Sequence, residues 1–219
     1  MTSQKKITIV LLLFSAFCVS MEVARIQHSH YASYIFLIWN LILAWVPYFF
    51  SLRFSALDIY KHRLKAAAIF ILWILFLPNA AYIITDLVHL RERMPVPLWY
   101  DIFLVIAYAW LGLLLALLSM RNMHKKLEDV MPAHWLWVGI FIVFLSSGYG
   151  IYVGRFLRWN SWDVFIRPLH LLHYSFHELI HPIQHINVVL MTVIICAIQF
   201  FSYAMIHFID STHELKTKP

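Results

Sequence analysis

Charge, cysteine and glycine are all scarce in this chain. Asp, Glu, Lys and Arg together make up 13% of the 219 residues, against roughly 25% in an ordinary soluble domain. So little charge cannot coat a globular surface, and a conventional soluble domain is excluded. The two cysteines, Cys18 and Cys196, each fall inside a long apolar run and say nothing about redox compartment. Glycine occurs five times, and three of the five cluster at Gly148, Gly150 and Gly154. There is no internal repeat, low-complexity tract or long linker; the nearest approach to a hinge is Met94-Pro95-Val96-Pro97. A ring of repeated charges or a carbonyl-rich filter signature is also missing, which leaves ion conduction without support.

Apolar residues are what the chain has in abundance, at 62% with a mean hydropathy of +0.74. A membrane-crossing helix needs roughly 20 of them in a row. Six runs qualify, at about 7 to 24, 32 to 52, 66 to 85, 101 to 120, 134 to 154 and 186 to 209. The composition therefore predicts an all-α polytopic membrane bundle, one integral membrane domain over 1–219, with a short interfacial helix around 164–182. Lys5 and Lys6 ahead of the first run imitate a signal peptide. No small-residue cleavage site follows, and Phe17 precedes Cys18 where a lipoprotein site needs a small residue, so the first run is expected to be an uncleaved span.

Cytoplasmic loops carry the excess of Lys and Arg. With the N-terminus inside, the inner side holds Lys5, Lys6, Arg53, Lys61, Arg63, Lys65, Arg121, Lys125, Lys126, Lys216 and Lys218, a total of 11. The outer side holds Arg25, Arg91, Arg93, Arg155, Arg158 and Arg167, a total of 6. Both termini are expected to be cytoplasmic. An inner collar of cations beside anionic lipid accounts for the net charge of +6 without a nucleic acid partner.

In that topology every unusual polar motif falls on the outer side. Asn79, Tyr82, Asp86 and His89 recur at steps of three or four residues, which lines them up on one stripe of a helix continuing span three. Carboxylates and imidazoles at membrane depth are costly unless they face a bundle interior or wet cavity, which makes them functional candidates. Pro78 cannot donate to the carbonyl of Ile74 and favours a kink there. The bland alternative is that Asn79 and Thr85 repair the kink while Asp86 and His89 sit in interfacial water.

Span five carries the glycine cluster, and Gly150 with Gly154 forms a G-x-x-x-G pair suited to close helix packing, within the chain or against a partner helix or second copy. Beyond it Arg155, Arg158 and Trp162 share a helical face, with Asn160 and Asp163 close in sequence. Two guanidiniums side by side suit a carboxylate or phosphate. The carboxylates Asp86, Asp101 and Asp163 serve equally well as partners, in an Arg–Asp clasp on the ends of spans three, four and five. Trp99, Tyr100, Trp159 and Trp162 fit an aromatic belt at the outer head groups.

A second constellation runs from His170 to Pro182 and contains a literal H-E-x-x-H, His177-Glu178-Leu179-Ile180-His181. That spacing sets two imidazoles one helical turn apart, with the Glu placed to activate a metal-bound water. Pro182 pushes His181 away from helical angles. No recognised pattern marks a third ligand, though His170, His173 and His185 are available. Adventitious metal binding, an amphipathic interfacial helix or a pH-sensitive surface are the competing meanings.

The runs L-P-N-A-x-Y-I-x-T-D-L-x-H-L, P-L-W-Y-D and G-I-Y-x-G-R-F-L-R-W-N-S-W-D closely resemble those of the bacterial family catalogued as domain of unknown function 1361, over roughly residues 35 to 208. The resemblance implies a multi-pass protein of the bacterial cytoplasmic membrane. Asn79, Tyr82, Thr85, Asp86, His89, Tyr100, Asp101, Arg155, Arg158, Asn160 and Asp163 fall on its motif positions. No activity or cofactor comes with it, and the H-E-x-x-H stretch is not part of its pattern.

The leading expectation is a binding or transport-related protein whose partners are the lipid bilayer and a lipid or anionic small molecule, held at an outer polar pocket with Arg155 and Arg158 as clamps. The second is a membrane enzyme acting on a lipid-linked or envelope substrate, with Asp86, Asp101 or Asp163 as acid or base and His89 as proton shuttle. The third is a zinc metallopeptidase using His177, Glu178 and His181. A structural or assembly role is the fourth, and oligomeric state is left open.

Overall fold

The computed structural model describes residues 3–156 and 186–217. Six helices account for nearly all of these: α1 (Ser3–Ser29), α2 (Phe36–Ser55), α3 (Arg63–Tyr82), α4 (Leu98–Leu127), α5 (Ala133–Phe156) and α6 (Ile186–Thr217). A 3-10 segment, Ile83–His89, extends α3. All six helices, with that extension counted into α3, are long and apolar enough to cross a membrane. The six expected spans are therefore present, and no strand occurs among the described residues. The interfacial helix expected around 164–182 lies outside them.

α4 is the central post. Its start is set by Pro97, held extended at ψ 143° where no helix can begin earlier, and Asp101 in its first turn meets the positive end of the helix dipole. His124, Lys125 and Lys126 complement the negative end. Ala109, Gly112, Ala116 and Ser119 recur every three or four residues, all buried, and make a narrow strip along which neighbours approach closely. A Cβ on Gly112 would collide with the backbone carbonyl of Ala80 on α3. α1, α2, α3 and α6 all pack on this helix.

α5 closes on α6 and α3 by the same device. Gly148 faces the Thr192 carbonyl of α6, 2.5 Å from where a Cβ would stand, and Gly150 faces the Pro78 ring of α3 at 2.8 Å. The expected close packing at Gly150 is thus an internal contact with α3. Around the outside, Leu13, Ile71, Phe103 and Phe201 are exposed, as lipid-facing side chains must be when the solvent is hydrocarbon. Inside, the few polar groups pair across helices, as with Trp73 Nε1 to Ser119 Oγ at 3.2 Å and Ser147 to Gln199 at 3.2 Å.

Candidate functional site

The stripe on α3 was expected to continue as an α-helix. Instead the backbone tightens into 3-10 geometry at Ile83, where the Thr85 hydroxyl donates back to the Tyr82 carbonyl at 2.7 Å. With three residues per turn, Ile83, Asp86 and His89 eclipse one another. Ile83 and Asp86 are buried and His89 emerges at the rim. Tightening therefore does what the α-helical stripe was expected to do, with a different set of residues in register.

Arg155, at the end of α5, lies across this segment. Its Nη2 donates to Asp86 Oδ1 at 2.7 Å, its Nε to Thr85 Oγ1 at 3.1 Å, and its Nη1 meets His89 Nε2 at 2.9 Å. The guanidinium also sits over the Tyr82 ring, 4.9 Å from the centroid. The other oxygen of Asp86 accepts from Asn40 Nδ2 of α2 at 2.9 Å. One carboxylate, 1% exposed, thus ties α2, α3 and α5 together. Asn79 lies half-buried on α3, one turn before Tyr82.

Asp101 was expected to join this network, and it does not. Its carboxylate is gripped in two-point fashion by Arg25 of α1, Nε to Oδ1 at 2.6 Å and Nη2 to Oδ2 at 3.0 Å. Both residues are buried. Among the described residues, the alternative of one clasp on spans three, four and five becomes two, α3 to α5 through Arg155 and α4 to α1 through Arg25. Tyr100, placed in the aromatic belt by its type, turns its hydroxyl onto the Met21 carbonyl of α1 at 2.8 Å and strengthens the second clasp. Trp99 is exposed, as a belt residue should be.

Tyr34, in the loop between α1 and α2, joins the two halves. The guanidiniums of Arg25 and Arg93 lie over its ring at 4.8 and 5.1 Å, and its hydroxyl donates to the His89 carbonyl at 3.4 Å. Burial pushes this hydroxyl above its ordinary pKa, and the Asp101 carboxylate adds in the same direction; it stays a neutral donor. The Phe36 ring meets the His89 imidazole edge-on at 5.5 Å. Arg91, Arg93 and Arg155 all act electrostatically on that imidazole.

Sequence reading passed over several members of this layer. Arg25 was counted only as a loop charge, and Glu22, Asn40 and Tyr34 not at all. A signal existed: Glu22 and Arg25 stand three apart at the end of an apolar run, and Asn40 interrupts another. Glu22 is fully buried beside Arg25, with Asp101 and the Tyr34 backbone near it, and neither of its carboxylate oxygens completes a hydrogen bond among the described residues. Arg158, Asn160 and Asp163 lie outside the described residues, as do His177, Glu178 and His181.

A family model described as "Protein of unknown function (DUF1361)" matches residues 39–198. No curated protein and no solved structure matches the chain.

Proposed function

We propose, on the premise that this chain belongs to the DUF1361 family, that it is a multi-pass membrane protein whose arginine-rich end binds an anionic head group. The observation that carries the reading is the set of arginines at the His89 end of the bundle. Arg155 meets this exposed imidazole and Arg91 and Arg93 follow it closely in the chain, with the exposed Glu92 between them, while Asp86 and Asp101 are buried and each already held by an arginine. Arg91 and Arg93, whose neighbouring aspartates are turned inward onto other arginines, suit the forked recognition of a phosphate or carboxylate. Asp86 does not compete for that ligand; it positions Arg155 from behind. Following the distribution of Lys and Arg, this end is placed on the extracytoplasmic side and both termini in the cytoplasm.

The enzyme alternative needs a carboxyl that reaches a substrate proton. Asp86 and Asp101 are both sealed in bidentate or multiply hydrogen-bonded contacts, so binding is the reading these contacts support.

The test is a titration of the purified protein in mild detergent with short-chain phosphatidylglycerol, against short-chain phosphatidylcholine and inorganic phosphate. Preferential binding of the anionic lipid, weakened about tenfold or more by the Arg91→Ala, Arg93→Ala double variant, is expected, since each lost charge-assisted bond is worth about 1.5–3 kcal/mol. Competition by inorganic phosphate at similar concentration identifies a soluble anion as the ligand. Equal binding of both lipids, or no response to the double variant, would refute the proposal.

A further inference from the structure

At the opposite end of the bundle a second cluster stands apart from everything above. His124 in the last turn of α4 and Glu128, the residue that caps this helix, stand one turn apart on the same face, and α6 brings His207 against them. One ligand atom from each of the three lies within 4.8 Å of the other two. We propose that His124, Glu128 and His207 form a binding site for a zinc-class divalent metal ion, joining the ends of α4 and α6.

The geometry of the pair on α4 is already close to what such an ion requires. His124 Nε2 stands 3.5 Å from Glu128 Oε1. Tetrahedral coordination with bonds of about 2.0–2.2 Å separates ligand atoms by roughly 3.3–3.5 Å. Only the His207 ring has to approach, by about 1 Å on the same arithmetic. That ring now stacks on His124 with centroids 4.9 Å apart, so a rotation about its side-chain bonds brings a nitrogen to the ion.

The surroundings orient the ligands. The other nitrogen of His124, Nδ1, is hydrogen-bonded to the Tyr203 hydroxyl at 2.5 Å, and Tyr203 is buried. A ring fixed through one nitrogen presents the other, which is how outer partners hold metal-ligating histidines. Trp137 meets both imidazoles edge-on, at 5.6 Å for His124 and 5.1 Å for His207, and forms an apolar wall. The nearby acid Asp210 is already paired with Arg121 and is no ligand. Glu128 is 46% exposed on its side chain, which leaves a way in from water and room for a water molecule as fourth ligand.

Two imidazoles and one carboxylate are a borderline donor set that suits zinc, cobalt, nickel or copper; magnesium and calcium prefer oxygen alone. The site is distinct from the H-E-x-x-H stretch, and the two make opposite predictions. The full chain in mild detergent, stripped with chelator, is titrated with Co2+ while its visible absorption is followed, and then with Zn2+ in competition. One equivalent is expected to bind. Glu128→Gln and His207→Gln each weaken binding tenfold or more; Glu128 is exposed and His207 half-buried, so both are milder for the fold than His124→Ala at a buried position. Tyr203→Phe, a positioning change, weakens binding about tenfold. The double variant His177→Ala, His181→Ala leaves the titration unchanged. Absence of Co2+ and Zn2+ binding, or binding that survives Glu128→Gln combined with His207→Gln, overturns the proposal.

Discussion

Removing Arg25 is expected to be among the most damaging single changes available in this protein, and worse than removing the aspartate it grips. Arg25 is 2% exposed and Asp101 is fully buried, with fork contacts of 2.6 and 3.0 Å. Deleting one partner of a buried pair costs about 3–5 kcal/mol, because the other charge is stranded. Glu22, also fully buried, loses its nearby cation in the same change. Arg25→Ala belongs at the upper end of that range, a factor of about 1,000 in the folding constant for each 4 kcal/mol. Asp101→Asn is milder, about 1–3 kcal/mol, because the amide oxygen still accepts a hydrogen bond from the guanidinium.

The chain supplies its own reporters for this test. Cys18 and Cys196 are free and buried, and Cys18 lies one turn before Glu22 on α1. A thiol-reactive fluorogenic dye therefore labels the protein only as the bundle opens. In a thermal ramp in detergent, Arg25→Ala should fall on the order of 10 °C below wild type, by the scaling for chains of this size. Asp101→Asn should fall well short of that. The reasoning is refuted if Arg25→Ala melts within about 3 °C of wild type, or if Asp101→Asn is the more destabilised of the two.

The glycines of α5 should separate sharply. A Cβ at Gly148 meets the Thr192 carbonyl, which is backbone and cannot swing away, so Gly148→Ala costs about 1–3 kcal/mol. Gly139 has nothing within 4 Å, and Gly139→Ala is neutral or slightly stabilising in the same dye assay; equal melting of the two variants would contradict this packing. Tyr100→Phe loses one hydrogen bond to Met21 and about 1 kcal/mol of stability. Because that hydroxyl serves the α1–α4 clasp, phosphatidylglycerol binding should be unchanged, and a loss of binding would move Tyr100 into the ligand site.

The sequence by itself determined that this is a helical membrane protein with six spans, because apolar run length is a local property and hydrocarbon thickness sets a sharp threshold for it. It also marked the end of the bundle where Asp86, His89, Asp101 and Arg155 lie, since such groups are too costly at that depth to stand without partners. Tertiary structure decided the pairing. Asp86 and Asp101 looked equivalent beside Arg155, yet the packing of α1 on α4 gave Asp101 to Arg25, 76 residues away, a choice that no local pattern encodes. The change from α to 3-10 geometry at Ile83 was likewise unmarked, although it sets Asp86 and His89 in register beneath Arg155 of α5. His124 and His207 are far apart in the sequence; only the contact of α4 with α6 sets them side by side.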